Sequence, residues 1–312
     1  MPSVIRVFPR RTSLTPTDEL AFVGDPPLFR PEAGEVHVSV AFTWDAAEGQ
    51  RIAEAWSQYY PIVKLGGPAM GSPANGFTPG LYVREGVTFT SRGCNKRCPW
   101  CLVPKWEGKI ALLPIAPGWV VQDNNLLQCP REHQVVVYEM LRKQRKAAKF
   151  SGGLDATLVD DWVADQLRTV PIHEVFLAAD TEASLKPLQA TVERLSFLRR
   201  NQLRCYVLIG FNGETLAEAR DRLEAVWAAG CLPFAQLYRP PDRPIRYSLE
   251  WRTLARTWSR PAAMVAEHNR KGGRGCNETV HGTGQKGLDI HRDSGSGGRQ
   301  RGQGEGHAGQ VP

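Results

Sequence analysis

Three cysteines stand close together in the sequence, in the segment Ser-Arg-Gly-Cys-Asn-Lys-Arg-Cys-Pro-Trp-Cys. They are Cys94, Cys98 and Cys101, spaced Cys-x3-Cys-x2-Cys directly after the apolar stretch 86–90. Cysteine thiolates hold iron-sulfur clusters, and a cubane with four irons takes four ligands. Three cysteines would leave one iron without a protein ligand and open to a small molecule. The spacing therefore predicts a reactive [4Fe-4S] cluster.

At this spacing the chain resembles the radical S-adenosylmethionine (SAM) superfamily. The resemblance implies that the open iron chelates the amino and carboxylate groups of SAM. It further implies that the reduced cluster donates an electron to the sulfonium, and that a 5'-deoxyadenosyl radical abstracts hydrogen from a substrate. A reductant such as flavodoxin or ferredoxin is implied as partner. Trp100 is similar to the family's aromatic residue beside the adenine, and the segment 102–108 is similar to that of cobalamin-type members and methylthiotransferases.

Two other classes of function stay open at this point. A zinc-stabilised nucleic-acid-binding protein would need Cys129 or His133 as fourth ligand, because no second Cys-x2-Cys or histidine pair follows the triplet. A cluster-binding scaffold without catalytic activity is the other alternative. A disulfide framework is disfavoured, because the seven cysteines are odd in number and no secretory signal precedes them.

Composition sets wider limits on the function. With 312 residues, 42% of them hydrophobic, the chain is long enough to bury a sizeable core. No apolar run approaches the roughly 20 residues of a membrane-spanning helix, so we expect a cytoplasmic protein without a membrane partner. The net charge of +7 favours polyanions. The substrate stays open between a nucleic acid and a peptide, and the basic balance slightly favours nucleic acid.

Patterning predicts an α/β protein in four parts. They are a small α/β unit at 1–80, a core at 81–245, a helical cover at 246–268, and a Gly/Arg-rich tail at 269–312 predicted to be disordered. The first part resembles the end of a truncated Rossmann-like domain that precedes the core in cobalamin-dependent radical SAM enzymes and methylthiotransferases. It contains no cysteine and one histidine, His37, so the auxiliary-cluster and Asp-x-His-x-x-Gly motifs of those enzymes have no counterpart here.

Apolar runs and amphipathic stretches alternate regularly in the core. The predicted strands are 36–42 and 62–65 in the first part and 87–90, 119–122, 148–151, 174–178, 204–209 and 233–238 in the core. The predicted helices are 46–59, 133–147, 156–169, 183–199, 215–229 and a run from 248 to 268, while 102–118 is predicted to be an extended loop. Six βα units match the partial (β/α)6 TIM-like barrel of the family, where active residues lie at the carboxyl ends of the strands.

Polar residues and glycines occur at those strand ends. Asp123, Asn124 and Asn125 stand where the family places a Gly-Gly-Glu segment that holds the SAM amino group, and Asp180 follows the fourth strand. The remaining candidates for SAM or substrate contacts are Gly152, Gly153, Ile209, Gly210, Glu214 and Tyr238. The stretch 206–214 resembles the family's Gly-x-Ile-x-Gly-x-x-Glu segment beneath the adenine. Capping of turns and helices is the alternative role for the three aspartates Asp123, Asp155 and Asp180.

Overall fold

The N-terminal unit is a parallel sheet with one helix against it. The computed structural model describes residues 3–71 and 77–274. The first elements are β1 (Val4–Phe8), β2 (Ala21–Val23), β3 (Glu35–Ser39), α1 (Ala46–Ser57) and β4 (Val63–Gly66). The sheet order is β2-β1-β3-β4, and every pair is parallel. Val36 and Val38 alternate along β3 and pack against Ile52 and Trp56 of α1.

The structure confirms β3, α1 and β4 of the sequence prediction and adds two strands. β1 and β2 were not predicted, because β2 has three residues and β1 ends at the interruption of Pro9 and Arg10. Their presence makes the N-terminal unit a four-stranded sheet rather than a single strand-helix-strand unit.

The second sheet contains six parallel strands with helical connections. In chain order the elements are β5 (Val87–Thr88), β6 (Ser91–Arg92), α2 (Val103–Trp106), β7 (Ala111–Leu112), β8 (Val120–Val121), α3 (Arg131–Arg142), β9 (Ala148–Phe150), α4 (Asp161–Arg168), β10 (Ile172–Ala178), α5 (Leu185–Arg194), β11 (Leu203–Ile209), α6 (Leu216–Ala228), β12 (Leu232–Leu237), α7 (Leu249–Thr257) and α8 (Pro261–Arg274). The order β12-β11-β10-β9-β8-β5 follows the chain, so each connection adds a neighbouring strand.

The six-stranded sheet is open, since β5 and β12 form its two edges and do not pair with each other within the described residues. All six predicted core strands are confirmed. The connection predicted as an extended loop also contains the single-turn helix α2 and the strand β7, which pairs antiparallel with β6. The predicted helices at 156–169 and 183–199 each begin with a short 3-10 turn before α4 and α5.

Side chains at alternate positions along each strand lie on opposite faces of this sheet. Leu177, Cys205 and Val207 are buried together with apolar residues of the helices, so one face is the main core. Cys205 and Cys231 belong to this core, as predicted for small apolar side chains. The opposite face carries Phe176, Tyr206 and Phe234, whose rings contact one another, together with three charged side chains at Lys149, Glu174 and Arg204.

The C-terminal helical run is divided by Pro261, which begins α8. Leu254, Trp258 and Met264 are buried and join the main core. The described residues up to His268 form one compact unit. α8 continues to Arg274, beyond the predicted start of the tail, and the rest of the predicted tail lies outside the described residues. None of the described helices has the length and apolar character needed to cross a membrane.

Candidate functional site

The cysteine loop, residues 93–102, follows β6 at the carboxyl end of β5. Backbone bonds fix its path, because Cys94 N donates to Gly108 O (3.1 Å) and Cys101 N donates to Cys98 O (3.0 Å). Asn95 ties the middle of the loop to its surroundings, donating from N to Gln128 Oε1 (2.7 Å). The three thiols are free and half-buried. The three predicted ligands thus lie on one loop whose backbone is tethered to its neighbours.

The thiols also act on one another electrostatically. Burial raises the pKa of Cys98 and of Cys101, and neighbouring thiols and the Asp180 carboxylate raise both further. The Lys96 ammonium opposes this effect at Cys98. Burial and these neighbouring charges therefore favour the protonated thiols over the thiolates. A bound cation reverses this preference, because a coordinated thiol gives up its proton.

Asp123 fixes the start of the cysteine loop. It is 1% exposed, and its carboxylate accepts hydrogen bonds from Thr90 N (2.7 Å), Thr90 Oγ1 (2.5 Å) and Ser91 Oγ (2.6 Å). Burial raises the pKa of Asp123, although these donors and nearby His133 oppose the shift. The structure places Asp123 as a bridge between the ends of β8 and β5. Its oxygens are engaged there, not with the following turn.

The next two residues lie on either side of the cysteine loop. Asn124 Nδ2 donates to Glu107 Oε2 (2.6 Å), which also accepts from Gly93 N (3.2 Å). Glu107 was missed by the sequence analysis, although it lies in the segment that resembles the family's cluster loop. Asn125 Nδ2 lies 3.9 Å from Cys94 Sγ. Its carbonyl oxygen Oδ1 is buried without a hydrogen-bond partner among the described residues, which makes it a free acceptor beside the cysteines.

The paired glycines after β9 allow the end of β9 to lie close to the end of β8. A Cβ on Gly152 would stand 2.0 Å from Asp123 O, so only glycine allows the ends of β9 and β8 to approach so closely. Gly153 has a φ of +95°, which also favours glycine. Asp155 then accepts from Thr157 N (3.1 Å), and the predicted capping role is confirmed.

Asp155 also reaches the cysteine loop through Lys96, whose Nζ lies 2.6 Å from Asp155 Oδ2. Burial alone would raise the pKa of Asp155, but the Lys96 ammonium and Thr157 outweigh it and the pKa is lowered. Asp155 therefore holds a negative charge opposite the loop, within 3.3 Å of Asn125 Nδ2.

Asp180 and Trp100 connect the cysteine loop with β10 and β11. Asp180 Oδ1 accepts from Leu208 N (2.8 Å). Burial raises the pKa of Asp180, while Leu208 N, the Arg222 guanidinium and the nearby Trp100 side chain oppose that shift. The following turn is capped by Thr181 with Ser184, not by Asp180. Asp180 thus lies near Trp100 at the sheet edge and is held there by the backbone of β11.

The stretch after β11 forms a compact charged turn. Gly210 N donates to Glu214 Oε2 (2.7 Å), and Glu214 forms an ion pair with Arg222 of α6 (2.5 Å). Arg222, which the sequence analysis did not single out, also donates to Leu208 O (2.5 Å). The side chain of Ile209 lies in the main core, so only its backbone faces the sheet edge.

Aromatic residues continue from this edge towards the N-terminal unit. The ring centroids of Trp100 and Phe211 are 5.4 Å apart, and those of Phe211 and Tyr238 are 4.8 Å apart. The Arg239 guanidinium carbon lies 4.4 Å from the ring centroid of Trp44. Trp100 and Tyr238 were predicted from the sequence to lie here, whereas Phe211 and Trp44 were not. Trp44 gave no signal in the sequence because the N-terminal unit reaches this edge only in the fold.

Comparison with known proteins gives no assignment: no protein-family model and no curated protein matches the chain. Within the described ranges, no group of three or more His, Cys, Asp and Glu side chains is arranged to hold a single metal ion. The fourth ligands considered for zinc have other contacts. Cys129 is buried in the main core, while His133 Nε2 lies 3.2 Å from Thr90 Oγ1.

Proposed function

We propose that the protein is a radical SAM enzyme that holds a [4Fe-4S] cluster through Cys94, Cys98 and Cys101. One observation carries the proposal. The three free thiols share one tethered loop at the carboxyl edge of a parallel sheet, beside Asn125 Oδ1, a buried acceptor without a partner among the described residues. Carboxyl edges of parallel strands are where α/β proteins bind ligands. A cluster presents each thiolate to a different iron, so it suits three ligands that do not converge on a single ion.

The donor and acceptor groups of this edge fit SAM as well. Asn125 Oδ1 would accept a hydrogen bond from the SAM ammonium, which needs acceptors when it leaves water. Trp100, whose ring packs edge-on against Phe211, would cover the adenine together with the Gly210 turn. Once bound, the cluster and SAM would supply reductive cleavage of SAM and hydrogen abstraction from a substrate. The chain's own part is to position them and to exclude water.

The open six-stranded sheet supports the same proposal at the level of the fold. We assign it to the partial (β/α)6 barrel of the radical SAM core, with Phe176, Tyr206 and Phe234 on the inner face. The proposal also includes a cytoplasmic location for the protein and a reductant of the flavodoxin or ferredoxin type as its electron donor.

The cluster itself is tested by iron and sulfide analysis of protein reconstituted without oxygen. Wild-type protein is expected to be brown and to carry four irons per chain, whereas Cys98→Ala is expected to lose the cluster. Cys129→Ala is the matched control, because this buried thiol lies off the loop and is expected to leave the cluster in place. The electron paramagnetic resonance spectrum of the reduced cluster is expected to change when SAM is added. Zinc in place of iron, or a full cluster in Cys98→Ala, would contradict the assignment.

A further inference from the structure

Rings beside the cysteine loop and rings of the N-terminal unit are joined through Arg239, which follows Tyr238 in the chain and contacts Trp44. We define the stacking row as Trp100, Phe211, Tyr238, Trp44 and Phe42. Trp44 lies next to Phe42, with their ring planes nearly parallel and their centroids 4.7 Å apart. Trp44 is 46% exposed, with Phe42 stacked on its ring and the Arg239 guanidinium over it, so a base that stacks on Trp44 takes the place of Arg239.

Positive charges without acidic partners accompany this row. Arg97 lies on the cysteine loop, and Arg239, Arg243 and Arg246 lie on the segment after β12. All four are exposed, and none forms an ion pair with an acidic residue in the part of the chain that the structure describes. Asp242 is the acidic residue of that segment, so its net charge is positive. An exposed ring beside arginines without acidic partners among the described residues suits a ligand with flat faces and a negatively charged backbone.

We propose that the stacking row binds a single-stranded nucleic acid, with a base on Trp44 and phosphates on Arg239 and its neighbouring arginines. Every base has a face that stacks on an aromatic ring, and arginines track the backbone. The proposal rests on the proposed function and names its substrate class, because Arg239 joins Trp44 to Tyr238 and the rings that lead to Trp100 on the loop of Cys98. A neutral or basic peptide would gain nothing from these arginines.

The experiment measures binding of fluorescein-labelled 12-nucleotide single strands of DNA and of RNA to full-length reconstituted protein by fluorescence anisotropy. Trp44→Leu keeps an apolar side chain but removes the ring, and it is expected to weaken binding about tenfold. Trp44→Phe is expected to restore most of the affinity. Tyr59→Ala is the matched control and is expected to bind like wild type, because Tyr59 carries a similar stacked arginine, Arg30, beyond the opposite end of α1.

A salt series separates stacking from charge. Trp44→Leu is expected to lower affinity at every salt concentration with an unchanged slope, whereas Arg239→Ala is expected to reduce the slope of log affinity against log salt by about one. The basic C-terminal segment is present in every variant, so it contributes equally to all of them. The difference between DNA and RNA identifies which nucleic acid the row prefers.

Equal affinity of wild type and Trp44→Leu for both strands would overturn the proposal, as would preferential binding of a 12-residue tyrosine-containing peptide. Release of 5'-deoxyadenosine from SAM is measured separately. If release depends on Cys98 but oligonucleotide binding does not depend on Trp44, only this inference fails. If Trp44-dependent binding occurs and a reconstituted cluster releases nothing, the proposed function fails instead.

Discussion

Replacing Asp123 with alanine tests the structural basis of the cysteine loop. The carboxylate accepts three hydrogen bonds of 2.5 to 2.7 Å from Thr90 and Ser91, which are fully buried. Each buried donor left without an acceptor costs about 1–3 kcal/mol. The two hydroxyls can rotate towards other acceptors, but the Thr90 amide cannot. We therefore expect Asp123→Ala to lower the free energy of unfolding by about 3 kcal/mol.

Asp123→Asn is expected to be much milder, at about 1 kcal/mol, because its carbonyl oxygen can still accept from Thr90 N. It also removes a charge that burial disfavours. Burial raises the folded-state pKa of Asp123 above its ordinary value of 3.8. The stability that this pKa shift contributes is therefore fully present below a pH of 3.8. The contribution is lost as the pH rises through the folded-state pKa. The stability difference between wild type and Asp123→Asn should therefore shift in favour of the variant as the pH rises from about 4.

Urea unfolding of the full-length protein, followed by circular dichroism over a range of pH, measures both effects. Asp160→Ala is the comparator: Asp160 accepts from Val163 N (2.9 Å) at the start of α4 but is half-exposed. Loss of such a cap costs about 1 kcal/mol. If Asp123→Ala were no more destabilising than Asp160→Ala, Asp123 would not bridge β8 and β5 as described. A pH-independent difference between wild type and Asp123→Asn would refute the desolvation argument.

Two further variants, each with a comparison variant, test the residues that follow β9 and β11 by urea unfolding. Gly152→Ala places a Cβ against backbone and is expected to lower the free energy of unfolding by about 3 kcal/mol. Gly153→Ala is expected to cost less, because its main penalty is a positive φ worth about 1 kcal/mol. The reverse order would contradict the close approach of β8 and β9. Glu214→Gln leaves the largely buried Arg222 without its counter-charge and is expected to cost about 2 kcal/mol. Glu218→Gln on the exposed start of α6 is the control, and an equally large loss there would argue against a special role for Glu214.

The sequence predicted the core of the fold because its signals are local. Each core strand is a short apolar run between amphipathic segments, and all six such runs form strands. The break before α8 also had a local signal in Pro261, although the prediction treated both C-terminal helices as one run. β2 escaped prediction because three residues are too few to show an alternating pattern.

The cysteine triplet of the candidate site was visible in the sequence, but its supporting contacts were not. The spacing of Cys94, Cys98 and Cys101 is visible in the chain, and the fold keeps them on one loop. The partner of Asp123 is set by the pairing of β8 with β5, which aligns Val120 with Val87 over more than thirty positions in sequence. No local pattern specifies such a contact. Trp44 reaches the site edge for the same reason, through the docking of a whole unit.

The central claim is tested most directly by the 5'-deoxyadenosine released when anaerobically reconstituted protein receives SAM and dithionite. Wild type and Cys129→Ala are expected to release it, and Cys98→Ala is expected to release none, because Cys98 is a proposed cluster ligand and Cys129 is buried off the loop. Release from Cys98→Ala at the wild-type rate, or none from wild-type protein with a full load of iron and sulfide, would contradict the assignment.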